Sequence, residues 1–202
     1  LTINECSFII RGMRYKDENK KEAIYHATML LLNEIGFSST SMSKIAKRAG
    51  VSASTIYVYF ENKNDMLHKL YLETKNKMSD KMFSGIEDDI DVKKGFEIIS
   101  RNYINFIMEN RDEFLFLQQF GNSPYMGEVE ANQVDILFEP VYKLAKRGQE
   151  ENIIKTVNKD LLFVHIETPI SELAKKYFRG DFEFTEENIS ALVEMSWDAI
   201  KR

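Results

Sequence analysis

Thr40-Ser41-Met42-Ser43-Lys44-Ile45-Ala46-Lys47-Arg48-Ala49-Gly50-Val51-Ser52-Ala53-Ser54-Thr55-Ile56-Tyr57-Val58-Tyr59-Phe60 reads as two short helices meeting at a tight corner. Ser41 stands where its hydroxyl can cap a helix running to about Ala49, and Ser52 where it can cap a second running to about Phe60. Gly50 can take the positive φ of the turn between them, and Ala46 is small where the two helices cross closely. Val51, Ile56 and Phe60 are spaced to point into a small core. The opposite surface of the second helix then carries Ser52, Ala53, Ser54, Thr55, Tyr57 and Tyr59. Hydroxyls on small or planar side chains suit phosphate oxygens and base edges, and the two helix N-termini add unpaired N–H groups and favourable dipoles. The tyrosines could instead pack in a three-helix core with their hydroxyls in water. Ile56 and Phe60 already fill the inward stripe at spacing four, which favours the outward reading.

The flanks continue in helical periodicity. Ile24, Ala27, Thr28, Leu31 and Ile35 line one face of a helix over about 17–35, ended by Gly36. Leu67, Leu70, Thr74, Met78 and Met82 make a stripe along a helix from Lys63 to about Phe83, ~30 Å long at 1.5 Å per residue. Further helices are predicted near 92–109, 112–120, 129–146, 157–178 and 185–202, with Gly180 between the last two. Only three prolines and nine glycines punctuate the chain, and strand-like alternation is scarce, so the fold class is all-α.

The chain of 202 residues, 44% hydrophobic and 29% charged, can bury one sizeable core or two small ones. Its single cysteine, Cys6, excludes an intrachain disulfide and a thiol metal cluster. No apolar run approaches the ~20 residues of a membrane span, and no secretion signal opens the chain, so a cytoplasmic protein without a membrane partner is expected. The chain begins with Leu1, and Met13 lies just before the first strongly periodic segment, so residues 1–14 read as a leader or disordered arm, with residues 1–12 a leader, tag remnant or upstream start. Residues 1–63 hold nine Lys/Arg against six Asp/Glu, net +3, and the remainder eighteen against twenty-six, net −8. A short basic module thus precedes a larger acidic one, which points to an anionic partner for the first. No Walker loop, GxGxxG or nucleophile elbow is present, and His26, His68 and His165 are too dispersed for a local metal motif. No catalytic residue, metal or cofactor is expected.

Gly36-Phe37, Thr40-Ser41 before Ile45-Ala46, Ala49-Gly50-Val51-Ser52, and Thr55-Ile56-Tyr57-Val58-Tyr59-Phe60 followed by Lys63 and Leu67 together resemble the TetR family of bacterial transcriptional regulators over roughly residues 18–70. The resemblance implies an N-terminal three-helix helix-turn-helix domain, 15–63, joined by a long helix to a larger helical effector-binding and dimerisation domain, 64–202. It implies phosphate contacts from Ser41 and Ser43, base contacts from Ser52, Ala53, Ser54 and Thr55, and a clamp on the DNA backbone from Tyr57, Tyr59 and Lys63. Family members often carry Arg or Lys at the place of Ser43 or early in the recognition helix, and this chain does not. Without a guanidinium fork for guanine, base reading would lean on thymine methyls and DNA shape. The partners implied are a palindromic double-stranded operator, a second copy of the chain, and a small-molecule effector that releases the repressor. A helical protein-binding adaptor that no longer reads DNA is the alternative.

The acidic module is read more coarsely. Leu162, Ile166, Ile170, Leu173 and Tyr177, then Leu192, Val193, Ser196, Trp197 and Ile200, form wide apolar stripes; one face must cover the chain's own core, and the surplus, with Leu161, Ala174, Met195 and Ala199, is assigned to a dimer interface, against the alternative of a monomer that buries them internally. The aromatic-rich stretch 103–142 has the mixed walls of a ligand pocket, for which Tyr103, Phe106, Gln119, Phe138, Tyr142 and His165 are candidates. Packing alone also explains each aromatic, and His165 serves equally as a hydrogen-bonded core residue.

Overall fold

The computed structural model describes residues 3–129 and 131–202. Its elements in order are α1 (Ile3–Ser39), α2 (Met42–Ala49), α3 (Ala53–Tyr59), α4 (Lys63–Met82), α5 (Val92–Glu109), α6 (Arg111–Gly121), a 3₁₀ turn (Pro124–Glu128), α7 (Ala131–Leu137), α8 (Glu139–Glu150), α9 (Lys159–Tyr177) and α10 (Glu186–Ile200). Among the described residues the only β pairing is an isolated bridge between Ile154 and Lys201, so the fold is all-α. Residues 1 and 2 of the expected arm lie outside the described residues, and from Ile3 onward the backbone is helical rather than an arm. No proline stands between Ile3 and Ile35, and Gly12 alone is a weak break, so the helix propagates backward past the expected start. Gly36, at φ 74° and ψ 174°, interrupts α1 where the sequence places its end.

Packing divides the chain into two compact units, residues 1–71 with 112–129, and residues 72–111 with 130–202. This differs from a division at Lys63, because α6 and the 3₁₀ turn join the first unit through their aromatic side chains. Phe120 stacks on Tyr71 with ring centroids 4.5 Å apart, and Phe37 contacts both Phe120 at 6.1 Å and Tyr125 at 5.4 Å. Asn33 donates to the Asp112 carbonyl and accepts from Gln119 Nε2, both at 3.0 Å, so α1 and α6 are also joined by a polar contact. Ile24, Ala27, Thr28 and Leu31 are buried as their spacing requires, whereas Ile35 is 40% exposed, one residue before the break at Gly36.

In the second unit α5 packs on α8, α9 and α10. Gly148 of α8 permits this approach: a Cβ there would lie 2.7 Å from Ile154 Cδ1 and 2.8 Å from Val92 Cγ1. Arg101 ties α5 to α10, donating to Glu186 at 2.7 Å and to Ser190 at 2.8 Å, with Glu97 of its own helix at 3.2 Å. The helix expected over 129–146 is two, α7 and α8, because Pro140 has no N–H to continue the ladder and instead occupies the first turn of a new helix.

Most of the residues expected at a dimer interface are instead covered by the chain itself. Leu162, Ile170, Leu192, Val193, Ser196, Trp197 and Ile200 are all buried within the chain itself, and Trp197 meets the Phe96 ring at 5.4 Å. Ile166, Leu173 and Tyr177 are half-buried, and Tyr177 packs on Phe178 and Phe184. The large apolar side chains of these helices left outward are Leu161 and Met195, both among the expected surplus, and Val164, at 55%, 71% and 47% exposure. A stripe of period 3.6 says which residues share a face but not which face meets the chain's own core.

Candidate nucleic-acid interface and effector cavity

The corner forms as the local sequence dictates. Ser41 caps α2 by accepting from the Lys44 N–H at 3.3 Å, and Gly50 ends it at φ 67°, followed by a Val51 N–H bond to the Ala46 carbonyl at 3.0 Å. Ser52 caps α3 by accepting from the Thr55 N–H at 3.1 Å. Its hydroxyl also lies 2.8 Å from those of both Ser54 and Thr55, a local hydroxyl cluster at the start of the helix. Ile45, Ala46, Ile56 and Phe60 are buried, Val51 is half-buried, and Tyr25 packs on Phe60 at 5.4 Å. The helix is thereby held with Ser52, Ala53, Ser54 and Tyr57 exposed and Thr55 partly so. Tyr57 is 57% exposed and Val58 beside it 79%. Tyr59 is half-buried, its ring 6.2 Å from Phe60, so it faces solvent less than the sequence pattern suggests. Ser41 and Ser43 are exposed on the neighbouring helix.

The basic residues near this surface are partly engaged. Arg48 forms a two-pronged bond with Glu34 at 2.7 and 2.8 Å, and the hydrogen bond holds the Glu34 carboxyl below its ordinary pKa. Lys44 donates to the Ser39 carbonyl at 2.9 Å. Lys63, expected to clamp the DNA backbone, is half-buried and donates to the carbonyls of Phe37 at 2.5 Å and Thr40 at 2.7 Å, with the Tyr125 ring 5.9 Å away. Burial lowers its pKa. Gly36 breaks the helical backbone of α1 near its end, and the start of α4 brings an ammonium to the Phe37 and Thr40 carbonyls just beyond the break. Lys63 thus braces the end of α1 against the start of α4.

A cavity of about 300 Å³ lies inside the second unit, walled by α4, α5, α7, α8, α9 and the end of α10. Of the expected pocket residues it takes Tyr103, Phe138 and Tyr142. Phe106 is buried at 1% exposure off the cavity wall, one turn from Tyr103, where α5 turns it elsewhere into the core. Gln119 belongs to the first unit, where it holds Asn33, and His165 is exposed on the outer face of α9. The sequence reading missed Lys75, Ser100 and Glu167. Lys75 shares the α4 stripe with Met78 and Met82, which was read as core only. Its ammonium stands 5.3 Å from the Phe138 ring centroid, and burial lowers its pKa while nearby Glu167 opposes the shift. Tyr103 and Ser171 hydroxyls are 3.2 Å apart, and Ser171 donates to Glu167 at 3.2 Å. Burial raises the Tyr103 pKa far above its ordinary value.

The comparisons with known proteins agree with this geometry. The family model for the N-terminal domain of bacterial regulatory proteins of the tetR family matches residues 24–70, and the model for a tetracyclin repressor-like C-terminal domain matches 91–201. The chain belongs to the TetR family of transcriptional regulators, with a DNA-binding N-terminal domain; response to a ligand, dimerisation and repression are typical of that family. An uncharacterised helix-turn-helix regulator of Haemophilus influenzae is 27% identical over 195 residues, 94% of this chain and all of that one. A TetR family regulator from Marinobacter aquaeolei superposes with a TM-score of 0.83 at 27% identity, over 93% of this chain and 98% of that one. A TetR-family regulator from Haemophilus influenzae, at 24% identity and TM-score 0.74 over 91% and 99%, shares the fold. Among the described residues no helix is long and apolar enough to cross a membrane, and no cluster of His, Cys, Asp and Glu could hold a metal ion.

Proposed function

We propose that this chain is a homodimeric repressor that reads a palindromic operator with α3 and leaves it when a small molecule enters the cavity of the second unit. The observation that carries the DNA reading is the exposed hydroxyl-bearing face of α3, held outward by the buried pair Ile56 and Phe60. Ser52, Ala53, Ser54 and Thr55 serve base edges, while Ser41, Ser43 and Tyr57 serve phosphates, with Tyr59 at the margin. Lacking an arginine on this face, the chain discriminates by apolar contact from Ala53 and by hydroxyl hydrogen bonds, so its base preference is shallow and shape-dependent.

Two copies are required because one seven-residue helix reaches only a half-site. The exposed Leu161, Val164 and Met195, with the half-buried Ile166, Leu173 and Tyr177, supply an apolar surface for the second copy. The ligand acts through α4, whose Lys63–Tyr71 segment belongs to the first unit and whose Lys75, Met78 and Met82 wall the cavity. A displaced α4 would alter the separation of the two recognition helices, whose half-sites the duplex fixes at about 34 Å or a multiple.

The test is selection of genomic fragments on the immobilised protein, followed by stoichiometric titration of a recovered duplex. The reading expects a palindromic site that takes two chains. One chain per duplex, or no preference over bulk DNA at physiological salt, overturns it and returns the adaptor reading.

A further inference from the structure

The cavity is apolar nearly throughout, yet three donors line its buried part. Lys75 reaches it from α4, and Ser100 and Tyr103 from one face of α5, three residues apart. Ser100 is 1% exposed, and its Oγ has no hydrogen-bond partner. A buried hydroxyl left so is costly unless something else bonds to it. Lys75 and Tyr103 both feel the Glu167 charge, which gathers the polar groups toward one part of the wall. The remainder is Met78, Met82, Phe96, Ile99, Leu144 and their apolar neighbours.

Two carboxylates also stand on the wall, but their placement opposes a cation. Asp160 and Glu167 are both exposed, and Glu167 already accepts the Ser171 hydroxyl. The aromatic faces a cation would seek are taken by lysines, Lys75 at 5.3 Å from Phe138 and Lys159 at 4.6 Å from Tyr142.

We infer that the cavity binds an unbranched apolar molecule bearing one carboxylate, with the carboxylate at Lys75 and Ser100 and the chain along the methionine and phenylalanine wall. This rests on the reading of the cavity as the effector site. A volume of about 300 Å³ holds on the order of ten water-sized groups, so a chain of about ten carbons fills it and a bulky conjugate does not. An ammonium donating to a carboxylate is a strong, charge-assisted contact, and the carboxylate also gives the Ser100 hydroxyl its missing acceptor.

The experiment is calorimetric titration of the intact protein with decanoate, decan-1-ol and decylamine, each below its micellar range. Decanoate should bind at least tenfold more tightly than the alcohol, and decylamine least. Lys75→Met, which keeps an unbranched stem of similar length and is checked for folding by its thermal melt, should reduce decanoate affinity on the order of 10- to 100-fold and abolish the preference for acid over alcohol. Ser100→Ala should reduce it less. Binding of the alcohol or amine as tight as that of the acid, or an undiminished acid preference in Lys75→Met, overturns the carboxylate while leaving an effector site in place. Failure of all three probes to bind overturns the cavity as an effector site and this inference with it.

Discussion

α3 and the α9–α10 pair are both amphipathic, yet they divide their side chains by different rules. In α3, seven residues long, Ile56 goes inward with Phe60 just beyond, and the outward positions face solvent with no competing demand. In α9, nineteen residues long, Leu162 and Ile170 go to the core, Leu162, Phe163 and Ile166 to the cavity wall, and Leu161 and Val164 to the exterior. A short capped helix against a small core has one inside, whereas a long helix in a larger unit has three uses for apolar surface. One hydrophobic pattern therefore specifies function in the first region and leaves it open in the second.

The sharpest break of that contrast is a pair of substitutions on α10. Trp197→Glu should abolish folding of the second unit, since it puts a charge beside Phe96 and empties the site of a large ring, a loss of at least ~3–5 kcal/mol in thermal or denaturant unfolding. Met195→Glu, two residues away and 71% exposed, should leave the melt unchanged and convert the sedimenting species from dimer to monomer. Equal effects on both would erase the distinction between core and partner face.

A smaller effect is expected at Lys63. Lys63→Met leaves the Phe37 and Thr40 carbonyls without their donor and should cost about 1–3 kcal/mol of stability, while the slope of log K against log salt for DNA stays as in the parent protein. A slope flatter by about one unit with stability intact would restore Lys63 as a phosphate contact. Smallest is Ser41→Ala, which removes the cap of α2 and should cost about 1 kcal/mol by denaturant unfolding. The matched change on the exposed face of α9, Thr168→Ala, should cost nothing measurable, because that residue caps no helix end.

The corner was legible because its signals are local. Ser41, Gly50 and Ser52 fix the helix ends, and the spacing of Ile45, Ile56 and Phe60 fixes the inward side. The bracing role of Lys63 was not legible because its partners lie 23 and 26 residues away, at a break in α1 that the sequence marks only by Gly36. Three of the six expected pocket residues lie off the cavity wall, and Lys75 on it was not expected, for a similar reason. Gln119 packs in the other compact unit, and Lys75 carries its charge on a stripe whose neighbours are methionine and leucine. Only tertiary packing reveals that this lysine faces inward.

The central claim is that DNA is read by the exposed side of α3, and the most direct test is to strip that side of its hydroxyls while leaving its buried side alone. Ser54→Ala with Tyr57→Phe retains Ile56 and Phe60, so the melt should match that of the parent protein. By fluorescence anisotropy at fixed salt, affinity for a selected operator duplex should fall about tenfold or more, roughly 1.4 kcal/mol, with a smaller fall for random duplex. A folded double variant that binds both duplexes as the parent protein does would contradict the account.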